Sequence, residues 1–377
     1  MPNPSSSELT QPQSSTLGAY TLAEILSQPQ CWVESLKRIE SGETLRNIGK
    51  QFGKNPEWIF IGCGSSYYIA LAAAARWSAI TGTRARAVPA SEILLFPDLA
   101  FNGANEFAPV LISRSGQTSE VLRVAQLLNQ KRIASLAISC TPNQKLESSA
   151  TLSIVLPEAD EQSTVMTRSF TSMLLSLQYL AATLAGKDSV LESLRTLPRV
   201  SARMLDGLSI RVLEFVGHNP FADFVCLGQG PLYGLACESA LKVMEMSRTY
   251  AQSFHTLEFR HGPKSVVSGE TLVAFLISEE NHDVEVDVLE EIKSLGGRTL
   301  VVANHVTSRA RAAGDLIVEL DCALPEPAPL APFVFAGQLA GFYRALNKGL
   351  DPDRPTNLSR VVFLGGDGER PEAADET

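Results

Sequence analysis

Short apolar runs separated by longer amphipathic stretches set the rhythm of this chain. Trp58-Ile59-Phe60-Ile61 enters the tight turn Gly62-Cys63-Gly64, and an Ala-rich stretch with helical spacing follows from Tyr68 to Ala79. The pattern returns as Phe224-Val225-Cys226-Leu227, then Gly228-Gln229-Gly230, then a helical stretch from Leu235 to Glu245. Later runs stay in register. Gly62 lies 51 residues before Ser113, where the second run ends, and Gly228 lies 50 before Ser278. The third runs end at Ser139 and Asn304, 26 residues further on in both cases, and fourth runs end near Leu156 and Leu320. Agreement over four successive runs indicates an internal duplication. Short β-branched runs alternating with helices predict parallel strands joined by right-handed crossovers. Each half is therefore expected to be α/β, a doubly wound parallel sheet in a flavodoxin-like, three-layer α/β/α arrangement.

The spacing of Leu191, Leu194, Leu197, Val200, Met204 and Leu208 predicts a connecting helix over 189–215. It divides the chain into a first domain at 35–188 and a second at 216–365. Residues 1–34 are expected to form an N-terminal arm, its first part to about residue 16 rich in Ser, Pro and Gln and mobile; the polar tail 366–377 resembles it in composition. Neither end is expected to carry chemistry.

Composition narrows the function. The 377 residues are 45% apolar and 19% charged, enough for a large core. Asp and Glu number 41 against 32 Lys and Arg, and a net charge of -9 argues against nucleic acid or an anionic membrane as partner. Apolar runs such as Ile69 to Trp77 are too short to span a bilayer, and the N-terminus lacks the charged start and apolar core of a secretory signal, so a cytoplasmic location is expected. The six cysteines, at 31, 63, 140, 226, 237 and 322, show no paired spacing, and the five histidines form no two-His helical signature. Neither a metal nor an organic cofactor is expected.

In open α/β sheets ligands sit beyond the carboxyl ends of the strands, where loops enter helices. Gly62-Cys63-Gly64-Ser65-Ser66 lies at such a point, and Ser113-Arg114-Ser115-Gly116-Gln117-Thr118 follows the next strand. A lone Gly-x-Gly is more often a purely steric turn, and Ser-x-Ser-Gly is commonly an N-cap. Five hydroxyls, from Ser65, Ser66, Ser113, Ser115 and Thr118, exceed what capping needs and suit a phosphate ester. The matching loop of the second half, Ser278-Glu279-Glu280-Asn281-His282-Asp283, is acidic and would repel phosphate, so one half alone is expected to keep the anion pocket. In the second half, Glu238, Lys242 and Glu245 fall at i, i+4 and i+7 on one face of a helix whose other residues are mostly apolar. Such a stripe is either a structural ion-pair network or the proton-transfer group of an aldose–ketose isomerisation. His261, in a Gly-Pro-punctuated loop, is a further candidate acid or base.

These motifs, with Thr167-Arg168-Ser169-Phe170-Thr171, His261-Gly262-Pro263 and Asp353-Arg354-Pro355-Thr356-Asn357-Leu358, resemble the tandem SIS (sugar isomerase) family over about residues 35 to 365. The likeness is to the isomerase half of glucosamine-6-phosphate synthase and to stand-alone amino-sugar-phosphate deaminases and isomerases. It implies that Ser66, Ser113, Arg114, Ser115 and Thr118 hold a sugar phosphate, that Glu161 and Thr164 line the sugar, and that Glu245 moves a proton between C1 and C2. It also implies that His261 opens the sugar ring from a neighbouring subunit, making a homodimer the active unit.

Three departures sharpen that expectation. The short polar arm leaves no room for a glutaminase domain, so glutamine-dependent synthesis is excluded on this reading. Arg360 stands where the synthase has its carbonyl-attacking lysine, and a guanidinium forms no Schiff base. Arg354 and Arg360 are instead expected to pair with phosphate or a carboxylate, and this variant resembles the galactosamine-6-phosphate deaminase/isomerase branch. Arg114 replaces a usual Gln and is expected to add positive charge beside the phosphate. The leading expectation is conversion of an amino-sugar 6-phosphate to a ketose 6-phosphate with ammonia release. A fructosamine-6-phosphate deglycase and a non-catalytic sugar-phosphate sensor are the alternatives.

Overall fold

The duplicated run-and-turn pattern folds, in the computed structural model, into two sheets of identical topology; residues 17–101, 106–322, 324 and 329–364 are described. The first half runs α1 (Ala19–Leu26), α2 (Gln28–Ser41), α3 (Thr44–Phe52), β1 (Glu57–Gly62), α4 (Ser65–Thr81), β2 (Arg84–Pro89), α5 (Ala90–Leu95), α6 (Pro97–Phe101), β3 (Ala108–Ile112), α7 (Ser119–Gln130), β4 (Leu136–Ser139), α8 (Lys145–Ser149), β5 (Leu152–Val155) and α9 (Arg168–Leu184). A 31-residue helix, α10 (Asp188–His218), leads into the second half. There follow β6 (Asp223–Gly228), α11 (Pro231–Ser247), β7 (Tyr250–Phe254), β8 (Thr271–Ile277), α12 (His282–Ser294), β9 (Arg298–Ala303), α13 (Ser308–Ala313), β10 (Leu316–Glu319) and α14 (Phe335–Asn347).

The first sheet has the order β2-β1-β3-β4-β5, and the second, read from its matching edge, β7-β6-β8-β9-β10. Both are five-stranded, and all their pairings are parallel. Alternation along the central strands divides the core. Trp58 and Phe60 of β1, with Phe224 and Cys226 of β6, face one shared interior that also takes side chains from α2, α4, α9, α10, α11 and α14. Ile59 and Ile61 face a separate outer core with α5 and α7, as Val225 and Leu227 do with α12 and α13. The halves thus share a central helical layer.

Two elements per molecule were not visible as apolar runs. The edge strands β2 and β7 (RARAVP and YAQSF) are only partly buried, and an edge strand has one face and one flank open, so polar residues serve there. The segment expected as an arm also differs from about residue 18 onward. Ile25, Trp32 and Leu36 are fully or nearly fully buried, and Trp32 stacks on Phe335 of α14 with ring centroids 5.6 Å apart. Thr21 donates through its N–H and its hydroxyl to Asp353, both at 2.7 Å, tying α1 to the far end of the chain. Residues 1–16 and 365–377, expected to be mobile or inert, lie outside the described residues.

The duplication is exact at the strand-to-helix turns. Gly64 has φ 53° and ψ -128°, and Gly230 has φ 54° and ψ -126°, a region that side-chain-bearing residues essentially never adopt. The turns aim α4 and α11 at one another across the middle of the molecule. At their crossing a Cβ on Gly234 would lie 2.6 Å from the Tyr68 carbonyl oxygen and 2.7 Å from the Ala72 nitrogen. Gly234→Ala must therefore push the two helices apart, and a loss of about 1–3 kcal/mol in denaturant unfolding is expected. Gly207→Ala in α10, where an added Cβ meets nothing within 4 Å, is the matched control and is expected to leave stability unchanged or raise it.

Candidate active site

The α4–α11 crossing brings the phosphate-type loops of the first half against the charged stripe of the second. Between them lies a cavity of about 200 Å³. Of the residues singled out from sequence, Ser65, Ser66, Arg114, Ser115, Thr118, Thr164, Lys242, Glu245 and Arg360 line it, whereas Ser113, Glu161, Glu238 and His261 do not.

Four of the five expected hydroxyls reach the cavity wall. Ser66, Ser115 and Thr118 form one side. Ser113 stands behind them, its hydroxyl 3.0 Å from that of Thr118, so it orients a wall residue rather than being one. Ser65 turns toward the second half and accepts a hydrogen bond from the Lys242 ammonium at 3.3 Å.

In the second half an internal carboxylate occupies the corresponding loop. Glu285, in the first turn of α12, accepts from the Ser278 N–H at 2.7 Å and from its hydroxyl at 3.1 Å. The loop expected to repel phosphate is closed by an internal carboxylate.

Arg114 lines the cavity beside Ser115 and Thr118, and its charge is shared with an internal carboxylate. Its guanidinium is buried against Glu161 at 3.2 Å and donates to the carbonyls of Val165 (3.2 Å), Thr164 (3.0 Å) and Arg360 (3.1 Å). A guanidinium so engaged braces three segments and has its charge neutralised locally. Glu161 stands behind the cavity wall. Its carboxylate accepts from the Thr167 N–H at 2.6 Å, the Thr167 hydroxyl at 2.8 Å and the Ser169 N–H at 3.2 Å, and is turned away from the cavity. It caps the start of α9 and holds Arg114; Thr164, three residues on, is the member of that pair that lines the cavity. Arg360 pairs with the carboxylate of Asp160 at the partly exposed mouth.

The stripe on α11 is divided by depth. Glu238 is fully buried, Lys242 is 1% exposed, and Glu245, one turn further, has 20% of its side chain exposed and faces the cavity. Lys242 lies 3.4 Å from Glu238 and is hydrogen-bonded to Glu245. Burial pushes the Glu238 carboxyl up to about 8, although the lysine pulls against it. Burial would lower Lys242, but the carboxylates on either side outweigh that and hold it above the usual lysine value. The lysine stays charged, one carboxylate beside it is easily protonated, and the other opens on the cavity. This is a proton-transfer arrangement with its counter-ion built in.

His261 sits in an exposed loop, its N–H donating to the Glu258 carbonyl at 3.0 Å, and this chain alone does not bring it to the cavity. The cavity also has wall residues that the sequence reading passed over. Glu120 follows the phosphate-type loop at the start of α7, Met166 precedes the Thr-Arg-Ser-Phe-Thr segment, and Ser359 and Val362 flank Arg360. Proximity to a motif was the one available signal for each. Among the described residues no cluster of His, Cys, Asp and Glu could hold a metal ion, and no helix is long and apolar enough to cross a membrane.

Comparison with known proteins agrees with this architecture. The chain is 27% identical over 371 residues to the D-galactosamine-6-phosphate deaminase AgaS of Escherichia coli O157:H7, covering 93% of this chain and 96% of that protein. The crystal structure of a glucosamine-6-phosphate deaminase from Thermotoga maritima superposes with a TM-score of 0.73 at 30% identity, covering 92% of this chain and all of that one. That of the Escherichia coli tagatose-6-phosphate ketose/aldose isomerase gives 0.78 at 27% identity, covering 89% and 95%. The SIS domain model matches twice, at residues 53–183 and 224–340, once on each sheet, and the chain belongs to the SIS domain family.

Proposed function

We propose that this protein is a phosphosugar isomerase-type enzyme that converts an amino-sugar 6-phosphate to a ketose 6-phosphate and releases ammonia. The observation that carries this reading is a single cavity with small hydroxyls at one end and an ion-paired carboxylate, Glu245, at the other. Ser66, Ser115 and Thr118 bind the phosphate. Glu245 takes the proton from C2 of the open-chain sugar and returns it to C1, leaving an imine at C2. Water adds there and ammonia leaves, giving the ketose. Lys242 holds Glu245 in place by a hydrogen bond, and Ser65 fixes the lysine from the other half. Arg360, bonded to Asp160, orders the mouth without covalent chemistry. The likeness to two amino-sugar-phosphate deaminases over almost the whole chain supports this choice within the phosphosugar enzymes.

The working unit in this reading is a homodimer, in which the exposed His261 loop of one subunit reaches the cavity of the other to open the sugar ring. A doubly charged sugar phosphate does not cross membranes unaided, so the reaction belongs in the cytoplasm. Purified protein is expected to release ammonia and form ketose phosphate in equal amounts from galactosamine 6-phosphate, glucosamine 6-phosphate or both. Neither product from either sugar would sink the assignment. Release of free lysine from a lysine-linked fructosamine 6-phosphate would place the same proton transfer in a deglycase instead.

A further inference from the structure

Four of the charged residues that line the candidate active site, Arg114, Lys242, Glu245 and Arg360, each have an ion-pair partner within the chain. Glu120 lines the same cavity and has no such partner among the described residues. It stands in the first turn of α7, two residues after Thr118, and is half-buried. Its Oε2 is sealed from solvent with no hydrogen-bond partner, which leaves Oε1 as the oxygen that opens on the cavity. Beside it the Cys63 thiol is pushed up to about 12, first by burial and then by the Glu120 carboxylate. The acid therefore lies against the Gly62–Gly64 turn, next to a neutral thiol and not a cation.

A half-buried carboxylate without a hydrogen bond is costly until a donor meets it. A carboxylate only accepts, so a phosphate group, itself an acceptor, does not fill that role, whereas a sugar hydroxyl does. The sugar chain then decides which hydroxyl is in reach. With the phosphate on Ser66, Ser115 and Thr118, and C1 and C2 at Glu245 on the opposite wall, the hydroxyls nearest Thr118 are those on C5 and C4. The amino group on C2 lies at the other end.

We propose that Glu120 is a specificity-determining residue that accepts a hydrogen bond from the C4 or C5 hydroxyl of a hexose 6-phosphate. This rests on reading the cavity as a phosphosugar site, but not on the release of ammonia. The two hydroxyls have different consequences. C4 is the carbon at which glucosamine and galactosamine differ, so contact there makes Glu120 the selector between epimers. The C5 oxygen closes the ring of a pyranose and carries a proton only in the open chain, so contact there makes Glu120 favour the opened sugar.

Galactitol 6-phosphate and glucitol 6-phosphate are open-chain probes that keep every hydroxyl and have no carbonyl to react, so calorimetric titration reads the contact without turnover. Their 4-deoxy and 5-deoxy analogues remove one hydroxyl at a time. For the better-bound alditol, loss of one of these two hydroxyls is expected to weaken binding to wild type about ten- to a hundredfold, the usual worth of a hydrogen bond to a charged group. Glu120→Ala should lose a similar factor with the parent alditol and no more with that deoxy analogue, while binding inorganic phosphate as tightly as wild type. Glu120→Gln, which keeps one oxygen acceptor, should fall between the two. Thermal unfolding of both variants should change little. The proposal is overturned if wild type binds neither alditol phosphate, if Glu120→Ala binds the parent as well as wild type does, if its loss persists in full with both deoxy analogues, or if inorganic phosphate is weakened equally. An absence of ammonia release would sink the proposed reaction and leave these binding outcomes as they are.

Discussion

Glu245→Gln is expected to lower kcat by about a hundred- to ten-thousandfold, the usual contribution of a general base, while the KM for the amino-sugar phosphate changes only a few-fold. The separation follows from the layout. Glu245 shares the cavity with the hydroxyls that would bind phosphate, but it lies on the opposite wall and bonds to Lys242 rather than to any of them. Glutamine fills the same volume and keeps an oxygen for the lysine, so neither the packing of α11 nor the phosphate wall is disturbed. What it lacks is a basic lone pair. Thr118→Val should give the reverse pattern, raising KM with a smaller effect on kcat. Steady-state kinetics with both variants checks the division of labour. Full turnover by Glu245→Gln would show that the α11 stripe is a structural ion-pair network and that the proton acceptor lies elsewhere.

That division was half legible from the chain. Central strands buried on both faces appear as continuous apolar runs, and the Gly-x-Gly turns repeat at matching intervals, so the double fold could be read from β1, β3, β4 and β5 and their counterparts alone. The edge strand β2 carries Arg84 and Arg86 and offered no such run, and α1 and α2 follow a Ser- and Pro-rich stretch that masked their apolar faces. The site shows the same boundary between pattern and geometry. Helical spacing places Glu238, Lys242 and Glu245 on one face, but only the crossing with α4 decides that the first two are buried and the third opens on the cavity. Arg114 illustrates the limit most clearly. Its charge is visible in the sequence, but its direction is set by Glu161, 47 residues away, and by three carbonyls from two other segments.

The depth of that stripe ties folding to the Lys242 ion pairs. Lys242→Met is expected to cost about 3–5 kcal/mol at pH 9, because it removes the counter-ion that Glu238 and Glu245 share in a buried setting. Methionine roughly matches the aliphatic stem, so lost packing is a minor part of the effect. The pH dependence identifies the cause. The folded-state carboxyl of Glu238 is already raised to about 8 from an ordinary value near 4.5, so the folded chain holds that proton more tightly than the unfolded one. Its contribution to stability is therefore fully present below about pH 4.5 and is lost as pH rises through about 8. Without the lysine, the raised carboxyl moves further in the same direction. The penalty of Lys242→Met should then shrink on acidification toward pH 5, where Glu238 is protonated, and grow above neutrality. Adding Glu238→Gln, which fixes the neutral form, should recover much of the lost stability at pH 8 and flatten the pH profile. Denaturant unfolding of wild type, the single variant and the double variant at pH 5, 7 and 9 makes the comparison. A penalty independent of pH, or no recovery in the double variant, would assign the cost to packing and not to the buried charge.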